Sequence, residues 1–309
     1  MINNLFIFIV AMFMVIYGAI LATRYSTKLA DNFKLSKYII GFIVVAFISI
    51  LPEGLISINS AINGVPSIGL GTLLGSNVAD LTLIFAILTF YVGKGLKIES
   101  KIMKNFEAYP SFLMLPLIFG FNGYYSRLEG LILITAGCFF YYVVFKNNID
   151  LSRTLEGKND KYKNILMLLL SISLLLIGSN FTVTSVISIT NILDISPILI
   201  SMFIIGLGTT MPELFFSLRS VKENENDLAV GDILGTVLAD ATILVGILAF
   251  IYPFYFPVKI IYVTGVFMLV ASMLLLKFMN SEHVLSKKEG YLLFLFWMVY
   301  VLAESIINI

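Results

Sequence analysis

Apolar runs of about 20 residues recur along this chain from end to end, and each is long enough to cross a hydrocarbon core of roughly 30 Å. A backbone in lipid has no water to bond, so it must satisfy its own N–H and C=O groups, which continuous runs of this length do as helices. Ten runs are counted, at roughly 4–23, 37–61, 67–91, 106–122, 126–146, 163–189, 196–219, 227–250, 258–279 and 288–307. The expected fold is therefore an all-α integral membrane protein with ten transmembrane helices. The fourth run is short and holds Pro110 and Pro116, which membrane helices tolerate where neighbours satisfy the freed backbone groups. With 59% hydrophobic and 13% charged residues, the composition is far from that of a soluble domain. The opening Met-Ile-Asn-Asn lacks the basic residues of a signal peptide, so the first run is expected to remain as a helix.

Charge sets the topology. With ten spans, the connections after the first, third, fifth, seventh and ninth lie on one side and carry 18 of the 20 Lys and Arg residues. The other side holds only Arg127 and Lys259. The positive-inside rule makes the basic side cytoplasmic and puts both termini outside the cell. A missed or invented span would have mixed the two sets. Because five is odd, two successive five-helix halves must cross in opposite senses, the inverted-repeat plan of many secondary transporters. The expected division is a first five-helix repeat over 1–147, a cytoplasmic linker over 148–162 and a second, inverted repeat over 163–309.

Internal similarity supports that division. Residues 36–90 align with 196–250 at a constant shift of 160 without a gap, with 15 identities in 55 positions. The identities include Pro52/Pro212, Glu53/Glu213, Ser57/Ser217, Gly71/Gly231, Gly75/Gly235 and Asp80/Asp240, while Ser49/Thr209 and Ser76/Thr236 match conservatively. The paired glycines have the small-xxx-small spacing that lets membrane helices approach closely.

Glu53, Asp80, Glu213 and Asp240 all fall near the middle of their spans. An acid at a helix centre costs roughly 2.5–3.5 kcal/mol on insertion scales, so it normally faces a polar cavity and marks an ion or proton path. Each Glu follows a proline, which withholds an N–H from the carbonyl four residues earlier, at Ile48 and Gly208. The hydroxyls of Ser49, Thr209 and Thr210 lie around these kinks, and Ser76 and Thr236 lie one turn before each Asp. The nine side chains Glu53, Glu213, Asp80, Asp240, Ser49, Thr209, Thr210, Ser76 and Thr236 form an oxygen-only ligand set, suited to hard cations such as Ca2+. Soft metals are disfavoured, since Cys138 is the single cysteine and His283, the single histidine, reads as a solvated loop residue.

At these residues the chain resembles the Ca2+/cation antiporter superfamily, and in particular the prokaryotic Na+/Ca2+ exchangers. The two signatures of that family, roughly Gly-Thr-Ser-x-Pro-Glu and Gly-Asn-x-x-Gly-Ser-Asn-x-x-Asp/Asn, are similar to Ile48-Ser-Ile-Leu-Pro-Glu53 with Gly71-Thr-Leu-Leu-Gly-Ser-Asn-Val-Ala-Asp80. They return as Gly208-Thr-Thr-Met-Pro-Glu213 and Gly231-Asp-Ile-Leu-Gly-Thr-Val-Leu-Ala-Asp240. The resemblance implies a secondary antiporter exchanging Ca2+ for Na+ by alternating access, with the first and sixth helices sliding against the other eight. It further implies a central Ca2+ site at Glu53, Glu213, Ser49 and Thr209. Flanking Na+ sites would be completed by Asp80, Asp240, Ser76, Thr236 and Thr210. Three departures stand out: Ile50 where the counterpart is Thr210, Ile48 in place of the signature glycine, and Asp80 where many Na+/Ca2+ exchangers have Asn.

Four ionised carboxylates around one Ca2+ leave a formal charge of about −2, which favours protonation of part of the set and makes H+/Ca2+ exchange the alternative coupling. Asp232 is a candidate fifth acid, with a peripheral or water-facing placement favoured. Glu304 is expected to reach the outer interface, and Asp194 to lie in the short connection between the sixth and seventh helices. A distant alternative is an intramembrane aspartyl protease, in which two aspartates share a proton. Its Gly-x-Gly-Asp signature is met only by Ala229-Val-Gly-Asp232, without the first glycine. A passive channel would place an acidic ring on an oligomer axis, whereas one chain supplies both halves here. The expected role is transport rather than enzymatic, with no cofactor, no protein partner and, at a net charge of +1, no nucleic-acid binding. The expected partners are the lipid bilayer and the transported cations Ca2+ and Na+, with H+ as the alternative counter-ion. The absence of a large cytoplasmic loop argues against a built-in Ca2+ sensor domain.

Overall fold

The computed structural model describes residues 2–30, 42, 45–93, 95–98, 108–147, 161–281 and 283–308. Eight helices within them are long and apolar enough to cross a membrane. Helix α1 covers Ile2–Ala30, α3 Pro66–Val92, α5 Arg127–Asn147, α6 Lys161–Leu193, α7 Pro197–Lys222, α8 Asn226–Ile251, α9 Ile261–Asn280 and α10 Lys287–Asn308. Two shorter apolar helices, α2 (Ala46–Ile62) and α4 (Tyr109–Asn122), correspond to the second and fourth expected spans. The remainder of those spans, 37–41, 43, 44, 106 and 107, lies outside the described residues, as does 148–160 of the expected linker.

Helices α3 and α8 form the centre, each 83% buried along its apolar window. That burial explains their composition. Glycines stand where other backbones press against them: a Cβ on Gly75 would lie 2.8 Å from the Met202 Cα, and one on Gly235 would lie 2.6 Å from the Ala46 Cβ. Tyr109 and Tyr141 donate hydrogen bonds to the carbonyls of Leu234 and Gly235, at 2.8 and 2.7 Å, tying α4 and α5 to α8.

Helices α1 and α6 pack on each other to one side. Phe8, Met12, Val15 and Ala19 meet Leu175, Val183 and Val186 in a second apolar cluster, which also takes in Ile56, Ile68 and Ile205 of α2, α3 and α7. Gly18 and Gly178, again 160 apart, let the two backbones approach, with a Cβ on Gly18 falling 3.2 Å from the Leu174 Cβ. The two-residue strands β1 (Leu96–Lys97), β2 (Tyr124–Tyr125), β3 (Phe254–Tyr255) and β4 (Val284–Leu285) clamp connections together. Strand β1 pairs antiparallel with β4 and β2 with β3, so each ladder joins one half of the chain to the other.

Local structure repeats at the same shift of 160. Proline opens a helical segment at Pro52 and Pro212, after breaks at Ile50 and Thr210. The segments Asp80–Ile84 and Asp240–Leu244 are both π-helical. Gly64 and Asn224 have positive φ, as do Gly123 and His283, so the lone histidine occupies a left-handed turn and is exposed. Just beyond it, Ser286 and Glu289 form a capping box, matched by Ser126 and Glu129: in each, the Ser N–H bonds Glu Oε2 at 2.7–2.8 Å. Replacing Ser126 or Ser286 by Ala should each cost about 1 kcal/mol, read as a modest fall in the midpoint of thermal unfolding in detergent.

Two expectations are corrected. Glu304 does not reach the interface: it is fully buried and accepts a hydrogen bond from Thr264 of α9. Asp232 is neither peripheral nor water-facing, but 0% exposed in the second turn of α8. A side chain's depth follows from its distance to the helix ends, but its burial depends on which neighbour covers its face. Asp194 is exposed in the turn after α6, with φ of 55°.

Candidate functional site

The prolines and π-turns set the site. In α2 the break at Ile50 separates Ala46–Ser49 from Leu51–Ile62, and in α7 the break at Thr210 separates Gly206–Thr209 from Met211–Lys222. Glu53 and Glu213 sit in the first turn after each break, while Asp80 and Asp240 open the π-turns of α3 and α8. Single π-turns inside α-helices are frequent at functional sites because they re-aim side chains and loosen the backbone ladder.

All nine predicted ligand side chains are buried. The Ser76 hydroxyl bonds the Leu73 carbonyl at 3.1 Å and lies 3.4 Å from Asp240 Oδ2. Ser49 donates to Asp232 Oδ1 at 2.9 Å. Both contacts cross from one half of the chain to the other. Thr209 donates to the Gly206 carbonyl at 3.1 Å, and Thr210 to the Leu207 carbonyl at 2.8 Å. With their protons directed to protein acceptors, these hydroxyls keep lone pairs for another partner. Glu53 and Asp80 interact electrostatically with each other and each with Glu213, Asp232 and Asp240, which places the five in one neighbourhood. They do not converge into a compact metal centre: among the described residues no three His, Cys, Asp or Glu side chains form one.

Seven carboxylate oxygens are buried without a hydrogen-bond partner: Glu53 Oε2, both of Asp80, both of Glu213, Asp232 Oδ2 and Asp240 Oδ1. Buried polar atoms are normally paired, and leaving a charged one unpaired costs several kcal/mol. A hard cation is the partner this donor set fits, since it binds carboxylate and hydroxyl oxygens directly. Two residues outside the predicted set share this environment. Ser57 and Ser217, one turn after each Glu, are buried with unpartnered hydroxyls. Their signal was in the sequence, as an identity at the repeat shift four residues from a buried acid.

A cavity of about 600 Å3 opens between α1 and α7. It runs from Pro212, next to Glu213, past Phe215 and Phe216 to Arg24, Lys28 and Arg219.

The family described as "Sodium/calcium exchanger protein" matches residues 3–146 and 163–305. Similar sequences include an uncharacterized membrane protein, MJ0091, of Methanocaldococcus jannaschii, 26% identical over 75% of this chain and 77% of its own length. The inner membrane protein YrbG of Escherichia coli is 25% identical over 79% of each chain. The sodium/calcium exchanger MaX1 of Methanosarcina acetivorans is 22% identical over 96% of this chain and 97% of its own. Among solved structures, the sodium-calcium exchanger NCX_Mj soaked with zero Na+ and Ca2+ has the same fold, with a TM-score of 0.71 at 21% identity, covering 98% of this chain and 99% of that one. Since the family match takes in both halves and nearly all of their helices, this multi-pass membrane protein belongs to the sodium/calcium exchanger protein family, and its activity is cation exchange.

Proposed function

We propose that the protein is a secondary active antiporter that exchanges Ca2+ for Na+ by alternating access, and that Glu53, Glu213, Asp80, Asp240, Ser49, Thr209, Thr210, Ser76 and Thr236 bind the transported ions. The observation that carries this reading is the buried cluster in which Ser76 meets Asp240 and Ser49 meets Asp232 across the halves, among seven unpartnered carboxylate oxygens. Ca2+ takes about 6–8 oxygen ligands, a number that these carboxylates and hydroxyls can supply only together.

The architecture in this proposal is ten spans in two inverted five-helix repeats, 1–147 and 163–309, joined by a cytoplasmic linker at 148–162, with both termini extracellular. The recurrence of breaks, π-turns and capping boxes at a shift of 160 supports the repeat. The close approach of α1 and α6 at Gly18 and Gly178 supports a pair of helices moving together against the rest. The cavity beside Pro212 opens toward Arg24, Lys28 and Arg219, residues of the side assigned as cytoplasmic, and supports access to Glu213 from there.

The unpartnered oxygens also favour H+ as a second coupling ion, because a carboxylate that has released its cation is most cheaply neutralised by a proton. The protease reading loses ground because the matching family is one of exchangers. Uptake of radiolabelled Ca2+ into proteoliposomes separates the two couplings. An outward Na+ gradient is expected to drive uptake well above the gradient-free level. Uptake driven by an outward H+ gradient alone would assign the exchange to protons.

A further inference from the structure

The second half carries an acid that the first half lacks. At the shift of 160, Asp232 corresponds to Thr72, whose hydroxyl is held within its own helix by the Ile68 carbonyl at 2.9 Å. Asp232 instead crosses between the halves, where its Oδ1 accepts the Ser49 proton at 2.9 Å. Its Oδ2 is buried and has no partner. The imbalance is reversed one residue beyond Ser49, where Ile50, 4% exposed, stands opposite Thr210 and contributes no oxygen. The Ser49 side thus lacks a counterpart of the Thr210 hydroxyl, and a carboxylate of the other half lies beside Ser49.

We infer that Asp232 is a further cation ligand and a determinant of ion selectivity, contributing Oδ2 next to the Ser49 hydroxyl so that this side of the site prefers Ca2+ over Na+. The inference rests on the transport reading given above. Ser49 has one proton and gives it to Asp232, so both its lone pairs remain for a cation. Two adjacent oxygens, one of them charged, then face the same ion. Coulomb attraction scales with the product of the charges, so exchanging a neutral hydroxyl for a carboxylate strengthens the hold on a divalent ion about twice as much as on a monovalent one. Asp232 also interacts electrostatically with Glu53, Asp80 and Glu213, which puts its charge within the central cluster.

The test is a pair of ion titrations on the purified full-length protein, following the thermal unfolding midpoint against Ca2+ and against Na+. Asp232→Asn keeps the shape and an acceptor for Ser49 but removes the charge. It is expected to raise the half-saturating Ca2+ concentration about 10-fold and that for Na+ only about 3-fold, since half the Coulomb energy is at stake for a monovalent ion. Ser49→Ala covers the case in which the first variant does not fold, and should shift the Ca2+ titration in the same direction. A purely structural Asp232 would move both titrations equally or neither, and either result overturns the inference. If the wild type binds Ca2+ and loses that binding in Glu213→Gln while Asp232→Asn is unchanged, only the role of Asp232 falls. A wild type that does not respond to Ca2+ takes the transport reading down with it.

Discussion

Glu213→Gln is expected to abolish gradient-driven Ca2+ uptake in proteoliposomes while leaving a folded protein. Both Glu213 oxygens are fully buried and unpartnered, so the carboxylate is there at a cost in folding energy. Removing the charge from a buried ion pair typically costs about 3 kcal/mol of binding, roughly 100-fold in affinity. The same substitution relieves the repulsion that Glu213 shares with Glu53, Asp80 and Asp232. In a chelating buffer the variant should therefore unfold at a higher temperature than the wild type, and adding Ca2+ should no longer raise that temperature. A misfolded variant would show the opposite sign in the chelator. Retained uptake at wild-type rates would remove Glu213 from the ligand set.

The second large effect is predicted for the helix crossings at the centre. Gly75→Val puts a branched side chain against the Met202 backbone, whose Cα would lie 2.8 Å from the new Cβ. Backbone cannot rotate away as a side-chain tip can, so the cost should reach the upper end of the overpacking range, about 3 kcal/mol or more. The expected readout is loss of the monodisperse peak on size-exclusion chromatography in detergent. Gly54→Ala is the control, because its Cβ would meet only the two methyl ends of Leu244, a flexible chain, at 3.2 and 3.5 Å. Equal behaviour of the two variants would show that the α3–α7 contact is looser than the 2.8 Å approach at Met202 implies.

Much of this protein was legible before any coordinates. Apolar run length set the helical membrane class, since lipid leaves the backbone few ways to satisfy its polar groups. The repeated Pro-Glu and Gly-x-x-x-Gly segments identified the family, because polar and special residues recurring at one shift within apolar helices are not accidental. The places of Glu53, Asp80, Glu213 and Asp240 along their helices followed from counting residues.

Tertiary structure decided which of those residues meet. Ser49 and Asp232 are 183 residues apart and Ser76 and Asp240 are 164 apart, so no local pattern pairs them. The burial of Asp232 and Glu304 was missed for the same reason: a one-dimensional count fixes depth, whereas burial depends on which neighbouring helix covers the face. The π-turns at Asp80 and Asp240 were also invisible, since a single widened turn leaves the apolar pattern of a fully buried helix unchanged. The sequence by itself determined the class, the family and the acids. Packing determined which oxygens share a site, because contacts between helices depend on their mutual rotation, which each helix's own residues do not specify.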